Sequence, residues 1–212
     1  MAEEEKSTIQ PTRNGPYLVK SLKKLKNSKG EDLKSSATMM LCRCGGSSNK
    51  PYCDGTHLKI GFSGQKEPDR ILDKTDDYEG EDIAIHDNRG VCSHRGYCTD
   101  NAPKVFRMGI EPWIDPDTQD VEETIRVVRM CPSGALSYTK NGFLSKEWDH
   151  EQGIIITKDG PYDVQGYVDL EDPDGNTPES KEHYTLCRCG HSKNKPFCNG
   201  QHWYVNFKDP EN

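Results

Sequence analysis

The chain has 212 residues, of which 32% are hydrophobic and 30% charged, with a formal net charge of −7 and a mean hydropathy of −0.93. This composition is lean for one large apolar core. The longest aliphatic run is three isoleucines at 154–156, far below the roughly 18 residues of a membrane helix. The acidic balance disfavours nucleic-acid binding. The start, MAEEEK, resembles no leader peptide, so we expect a cytoplasmic protein that binds no membrane.

Nine cysteines fall into three groups of three along this chain. In the cytoplasm, clustered cysteines bind metal or do redox chemistry more often than they form disulfides. The first and third groups share the spacing C-x-C-x8-C with a histidine four residues later. Residues 9–62 align with 154–207 without a gap, and 22 of the 54 positions are identical. The sequence therefore predicts two similar domains, 1–80 and 144–212, around an unrelated domain, 81–143.

Each repeated half is predicted to consist of short strands. A Gly-Pro turn signal precedes the expected strands at 17–19 and 162–164. Further strands are expected at 166–170 and directly before the first cysteine of each motif, at 39–41 and 184–186. One half is too small to bury a core alone. We therefore expect the halves to pack on each other about a pseudo-twofold axis, which makes the chain a monomeric pseudo-dimer.

The middle segment is predicted to combine strand and helix. A strand is expected at 82–86 and a helix at 121–130, where Asp120 and Glu123 are placed as a capping pair. The apolar face of this helix consists of Val121, Ile125 and Val128. The helix runs directly into a Cys-Pro pair, an arrangement typical of cluster ligands.

The first terminal motif brings three thiols and one imidazole together within 16 residues, namely Cys42, Cys44, Cys53 and His57. A structural zinc site is the competing interpretation, but zinc ligands are usually spaced C-x2–4-C. A 2Fe–2S cluster fits better, with the first two cysteines on one iron and Cys53 and His57 on the other. We expect Gly45 and Gly55 to allow close approach of backbone N–H groups, and Asp54 to cap a short helix that carries the histidine.

The second terminal motif retains all four candidate ligands, Cys187, Cys189, Cys198 and His202. It departs from the first copy at Asn199, which replaces aspartate, and at Gln201, which replaces a small hydroxyl residue. Asparagine caps a helix about as well as aspartate but removes a negative charge. We therefore predict a second cluster with a different potential or lability. Zinc or an empty site is the alternative for both copies.

Both motifs resemble the CDGSH (NEET) iron–sulfur signature, C-x-C-x2-S/T-x3-P-x-C-D-G-S/T/A-H, which the first copy matches throughout. The resemblance implies a redox-active, releasable 2Fe–2S cluster with three Cys ligands and one His ligand. It also implies a mainly β fold in which two motifs form one unit.

The middle motif contains Cys92 and Cys98 in a C-x5-C arrangement and Cys131 in the segment CPSGAL. It resembles the divergent mono-cluster ferredoxins, which implies an inserted small α+β domain with a third cluster. Arg95 stands in place of a central cysteine, so three thiolates suit 3Fe–4S directly and 4Fe–4S only with a fourth ligand or an open iron. His94 is the local candidate for that ligand, although a polar loop histidine is the favoured interpretation.

These features together predict a non-enzymatic electron-transfer protein with two 2Fe–2S clusters and one 3Fe–4S or 4Fe–4S cluster. Its expected partner is a redox protein, and lysines at 20, 23, 24, 26 and 29 are a candidate docking patch, with a solvated loop as the simpler interpretation. The alternative is a cluster carrier or a redox or pH sensor that releases clusters to acceptor proteins. A catalytic subunit would require an open iron in the middle site.

Overall fold

The computed structural model describes residues 6–210 and residue 212. Most of its regular structure is short strands in three four-stranded sheets, and its helices are short. No helix in the described part of the chain is long and apolar enough to cross a lipid bilayer. Residues 1–5, which include most of the acidic start of the chain, lie outside the described residues.

Two of the sheets are built by the repeated halves, and each includes a strand from the other half. The first sheet has the order β11-β1-β2-β4, and the second has the order β12-β10-β9-β3. The first sheet consists of β11 (Asp169–Leu170), β1 (Thr8–Pro11), β2 (Tyr17–Lys20) and β4 (Thr38–Leu41). The second consists of β12 (His183–Leu186), β10 (Tyr162–Gln165), β9 (Gly153–Ile156) and β3 (Leu25–Lys26).

The exchanged strands β3 and β11 are the only parallel partners in these two sheets within the described residues. Leu25 pairs with Ile154, and Ile9 pairs with Leu170. The side chains of both halves form one apolar core, so neither half is closed without the other. The expected pseudo-twofold packing is therefore present, and the exchange of strands makes it intertwined.

The inserted segment forms the third sheet, in the order β5-β6-β7-β8. Its strands are β5 (Thr75–Glu79), β6 (Ala84–Asn88), β7 (Leu136–Lys140) and β8 (Phe143–Ser145). Between β6 and β7 lie α2 (Tyr97–Asn101), α3 (Val121–Val128) and two 3₁₀ turns. Ile125, Val127 and Val128 are buried, and Val127 and Val128 belong to a second apolar core. The mainly β fold with an inserted α+β domain is confirmed.

Three local expectations differ from the structure. The strand expected at 166–170 is reduced to Asp169–Leu170, because Gly166 and Tyr167 have φ values of 73° and 59° that break the extended chain. The helix expected at 121–130 ends at Val128, and the strand expected at 82–86 forms at Ala84–Asn88. The domain limits remain predictions; β5, which lies before residue 81, pairs with β6 of the middle segment.

Candidate iron–sulfur sites

The first terminal motif folds as a turn between β4 and the short helix α1 (Thr56–Lys59). Cys42 Sγ lies 3.8 Å from Cys44 Sγ, and Cys53 Sγ lies 3.4 Å from His57 Nδ1. The two pairs are those expected to hold one iron each. The Gly55 N–H points at Cys53 Sγ over 3.5 Å. The arrangement fits a cluster with three thiolate ligands and one imidazole ligand.

The cap of α1 corrects one detail of the sequence interpretation. The N-cap residue is Gly55, at φ 85°, rather than Asp54. Asp54 still accepts a hydrogen bond from the Thr56 N–H at 3.0 Å, and its other oxygen accepts from the N–H and hydroxyl of Ser48 at 2.9 Å. Asp54 therefore ties the helix that carries His57 to the preceding loop.

The electrostatics of the C-x-C turn favour a thiolate at its first cysteine. The hydrogen bond with Cys44 and the backbone N–H groups of Ser47 and Gly45 lower the pKa of Cys42 to about 6, against the opposing effect of burial. In the second copy Cys187 has the same environment and a pKa of about 6. The same hydrogen bond, together with burial, raises the pKa of the partner thiols Cys44 and Cys189, so each turn by itself favours one thiolate, which is the form that binds metal.

The second terminal motif has the same backbone arrangement but a different histidine orientation. Cys187 Sγ lies 3.9 Å from Cys189 Sγ, and the Gly200 N–H points at Cys198 Sγ over 3.5 Å. His202, on α4 (Gln201–Tyr204), has Nδ1 and Nε2 each 3.1 Å from a backbone carbonyl oxygen, those of Asp159 and Ser93. The first two cysteines pair as in the first copy, whereas both ring nitrogens of His202 face backbone carbonyls, so its ligand role stays a prediction.

The two C-x-C turns touch each other across the pseudo-twofold axis. Gly45 and Gly190 have φ values of 75° and 83°. A Cβ atom on Gly45 would lie 2.4 Å from the Cys189 carbonyl oxygen, and one on Gly190 would lie 2.4 Å from that of Cys44. Both glycines are therefore required by the close approach of the turns as well as by their backbone conformation.

The middle cysteines line one cavity of about 690 Å³, together with residues of β6, α2 and the segment before β7. This cavity contains all three predicted ligands, Cys92, Cys98 and Cys131. The volume of the cavity and its three thiols fit a cofactor larger than a single metal ion, such as an iron–sulfur cluster.

The thiols of this cavity need a positive partner to ionise. Burial raises the pKa of Cys92 to about 11 and that of Cys98 to about 12, and the nearby Cys131 adds to both shifts. Arg89 supplies one positive charge, with its guanidinium 3.6 Å from Cys92 Sγ. Bound iron would instead favour the thiolate form of these cysteines, because a coordinating thiol loses its proton.

His94 also lines the cavity, at a φ of 54°. Its ring packs on the second terminal motif, since a Cβ atom on Gly200 would lie 2.5 Å from His94 Cγ. Arg95, in the place of a ferredoxin cysteine, donates to the Tyr97 hydroxyl at 3.2 Å. His94 is thus between two candidate sites, and its ligand role stays a prediction.

Sequence reasoning missed several residues that shape these sites. Tyr17 and Tyr162 hydrogen-bond to the ligand turns, and their identity across the repeat was an available signal. Arg188, between two cysteines, points away from the site and donates to the Gly160 and Thr157 carbonyls. Asp163 is buried beside Cys198, and burial raises its pKa to about 7 although Arg95 opposes the shift. Nothing in the local sequence marks Asp163.

Comparison with known proteins agrees with this geometry. A family model described as "Iron-binding zinc finger CDGSH type" matches residues 14–58 and 159–203, and one described as "Divergent 4Fe-4S mono-cluster" matches residues 78–141. A curated relative, "Uncharacterized protein YjdI" of Escherichia coli K12, is 43% identical over 61 residues, which is 29% of this chain and 80% of the relative. The YjdI protein of Escherichia coli O157:H7 matches equally. No solved structure gives a significant match.

These matches, together with the two C-x-C turns and the three-cysteine cavity, define an iron–sulfur protein. The chain belongs to the CDGSH iron-binding family, with two CDGSH segments that flank a divergent 4Fe–4S mono-cluster domain.

Proposed function

We propose that the chain is a non-enzymatic electron-transfer protein with two 2Fe–2S clusters and one 3Fe–4S or 4Fe–4S cluster. The observation that carries the proposal is the adjacency of separate ligand sets within one fold. The two CDGSH turns meet at Gly45 and Gly190, and the cavity with the middle cysteines adjoins the second turn through His94. When bound, iron–sulfur clusters supply one-electron chemistry.

The chain's own residues contribute ligation, hydrogen bonds and burial, which tune the potentials of clusters. The second site is more deeply buried than the first, and it has Asn199 where the first has Asp54. The sites therefore differ in charge and in solvent access, which favours different potentials.

The partner would be a redox protein with an acidic surface. Lys20 and Lys29 are exposed, whereas Lys24 forms an ion pair with Glu151, Lys26 is half-buried, and Lys23 is exposed but has an interaction partner of its own. The candidate docking patch is therefore smaller than the sequence indicates. Nucleic acid and membranes are not proposed as partners, and a monomer in the cytoplasm is the proposed state.

The test of this function is iron and sulfide quantitation with EPR spectroscopy on anaerobically purified protein. We expect about seven or eight irons per chain, from two 2Fe–2S clusters and one larger cluster. Stoichiometric zinc in place of iron would overturn the proposal. A substrate-dependent change in the EPR signal of the middle site would indicate a catalytic protein instead.

The second candidate function is a carrier or a redox or pH sensor that releases clusters to acceptor proteins. It is favoured by the half-buried position of His57 and Cys53, since a neutral imidazole ligand is lost on protonation. Cluster transfer to an apo-acceptor, measured against electron transfer from the same centres, separates the two functions.

A further inference from the structure

The two CDGSH sites have matching ligand sets but very different exposure. In the first site Cys53 and His57 are half-buried, and among the described residues no atom beyond the chain neighbours lies within 4 Å of the position of a Cβ on Gly55. In the second site the equivalent residues are closed off, since Cys198 is 2% exposed and His202 is 4% exposed. The two sites are therefore unequal in their access to solvent.

The second site is covered by residues 93–95 of the inserted domain, which we call the covering loop. The Ser93 carbonyl oxygen lies 3.1 Å from His202 Nε2. The His94 carbonyl accepts a hydrogen bond from Trp203 Nε1 at 3.0 Å, and the His94 ring packs on Gly200. The covering loop thus contacts the end of the motif that carries the histidine.

The strands that lead into the two motifs also differ in solvent exposure. All four residues of β12 are buried, whereas β4 alternates between exposed and buried residues. Thr185 is 1% exposed, while Met40, at the equivalent position, is 54% exposed. Leu58 and Ile60, beside His57, are also exposed. Because the repeat makes the halves equivalent, we assign the asymmetry to the segments that cover the second motif alone, namely the inserted domain and residues 67–73.

We propose that the covering loop seals the second CDGSH site, so that the first site alone exchanges its iron or meets partner proteins. The proposal rests on the proposed iron–sulfur function and specifies which of the two similar sites is open. Exchange at the second site would require the covering loop to leave Gly200 and Trp203, a local opening that costs free energy.

The test challenges the iron-loaded protein with the ferrous chelator bathophenanthroline disulfonate in the absence of oxygen. Thiols freed by iron loss are alkylated with iodoacetamide and assigned by peptide mass spectrometry. We expect Cys53 to be labelled at least about tenfold faster than Cys198, which corresponds to a difference of about 1.4 kcal/mol in the free energy of opening.

Two variants test the covering loop itself. His94→Ala removes the ring over Gly200, and Trp203→Phe removes the hydrogen bond to the His94 carbonyl while it keeps an aromatic ring. Both are expected to accelerate the labelling of Cys198 and to leave that of Cys53 unchanged. His86→Ala is the matched control, because it removes a histidine of the same domain that contacts Asp77 and Thr139 instead.

The iron and sulfide content is measured before the chelator is added. It distinguishes failure of the proposed function from failure of the sealing proposal. A chain that binds no iron would overturn the proposed function, and the sealing proposal would fall with it. A fully loaded chain in which Cys53 and Cys198 are labelled at equal rates would overturn the sealing alone. Unchanged labelling of Cys198 in both variants would show that the covering loop is not the barrier.

Discussion

The hydroxyl of Tyr17 donates a hydrogen bond to the carbonyl oxygen of Cys187, 170 residues away, at 2.9 Å. The reciprocal bond runs from the Tyr162 hydroxyl to the Cys42 carbonyl, also at 2.9 Å. The two rings meet edge to face, with centroids 6.0 Å apart. Each half of the chain therefore positions the cysteine turn of the other half.

This crossed arrangement predicts that a tyrosine variant affects the site in the opposite half. Tyr17→Phe leaves the Cys187 turn without its buried donor, and we expect a loss of about 1–2 kcal/mol in the free energy of unfolding. We also expect faster labelling of Cys187 than of Cys42 relative to the wild type, in the chelator and alkylation assay. Tyr162→Phe should show the reverse preference.

Tyr184→Phe is the control for this prediction, because its buried hydroxyl donates to the Val168 carbonyl at 2.8 Å rather than to a cysteine turn. It should reduce stability by a similar amount without a preference for either site. Equal acceleration at both sites in the Tyr17 variant would contradict the crossed arrangement.

The contact between the two C-x-C turns predicts that Gly45→Ala is severely destabilising. The substitution places a Cβ atom 2.4 Å from the Cys189 carbonyl oxygen and also forces alanine to a φ of 75°. Gly30→Ala is the matched control, since Gly30 has a φ of 82° but, in the described part of the chain, no atom beyond its neighbours within 4 Å of its Cβ position. We expect a cost of about 1–2 kcal/mol for Gly30→Ala from the left-handed conformation alone, and a larger cost for Gly45→Ala. Urea denaturation measures the loss of stability in both variants. Equal losses would contradict a tight contact between the two C-x-C turns.

Replacement of His57, in the more open first site, tests its role as the labile ligand of the cluster. His57→Cys replaces an imidazole with a thiolate, which lowers the reduction potential of the first cluster and slows its loss in acid. Protein-film voltammetry and the decay of visible absorbance at pH 5 measure the two effects. Equal rates of acid loss in the variant and the wild type would argue against His57 as the labile ligand.

A buried carboxylate ties three segments of the second half together and predicts the acid stability of the fold. Glu182 lies 2.8 Å from His183 Nδ1 and 3.0 Å from His150 Nδ1, and it accepts the Gly166 N–H at 3.1 Å. Burial by itself raises the pKa of Glu182, but these hydrogen bonds outweigh it and lower the pKa to about 2. Because the folded state holds the charged form more strongly than the unfolded chain does, its stabilising effect is present above pH 4.5. The effect is lost as the pH falls from 4.5 towards 2.

Glu182→Gln should therefore cost about 2–3 kcal/mol at pH 7 and remove much of the pH dependence between pH 4.5 and 2. Urea denaturation of the variant and the wild type across this range measures the difference. Glu171→Gln, at an exposed position, is the control and should leave the pH dependence of the unfolding free energy unchanged. A variant that keeps the wild-type pH dependence would show that Glu182 is not the responsible group.

The local sequence was sufficient for much of the candidate sites. The spacing of Cys42, Cys44, Cys53 and His57 predicts a turn in which two pairs of ligand atoms converge, and the structure has both pairs. The strand before each motif and the helix that begins at Val121 also follow from short-range pattern. The strand expected at 166–170 was wrong over its first half, because alternation of residue types does not reveal a left-handed backbone at Tyr167.

The sequence by itself determined the residue types, the spacing and the repeat, because ligand geometry within a turn depends on neighbours only a few positions apart. Only the tertiary structure decided which half completes which sheet, which tyrosine holds which cysteine turn, and which site the inserted domain covers. These contacts join residues more than 100 positions apart, such as Ser93 with His202 and Tyr17 with Cys187. Their physical reason is the shared core: neither half buries enough apolar surface alone, so the halves close on each other and the inserted domain covers only one of two similar sites.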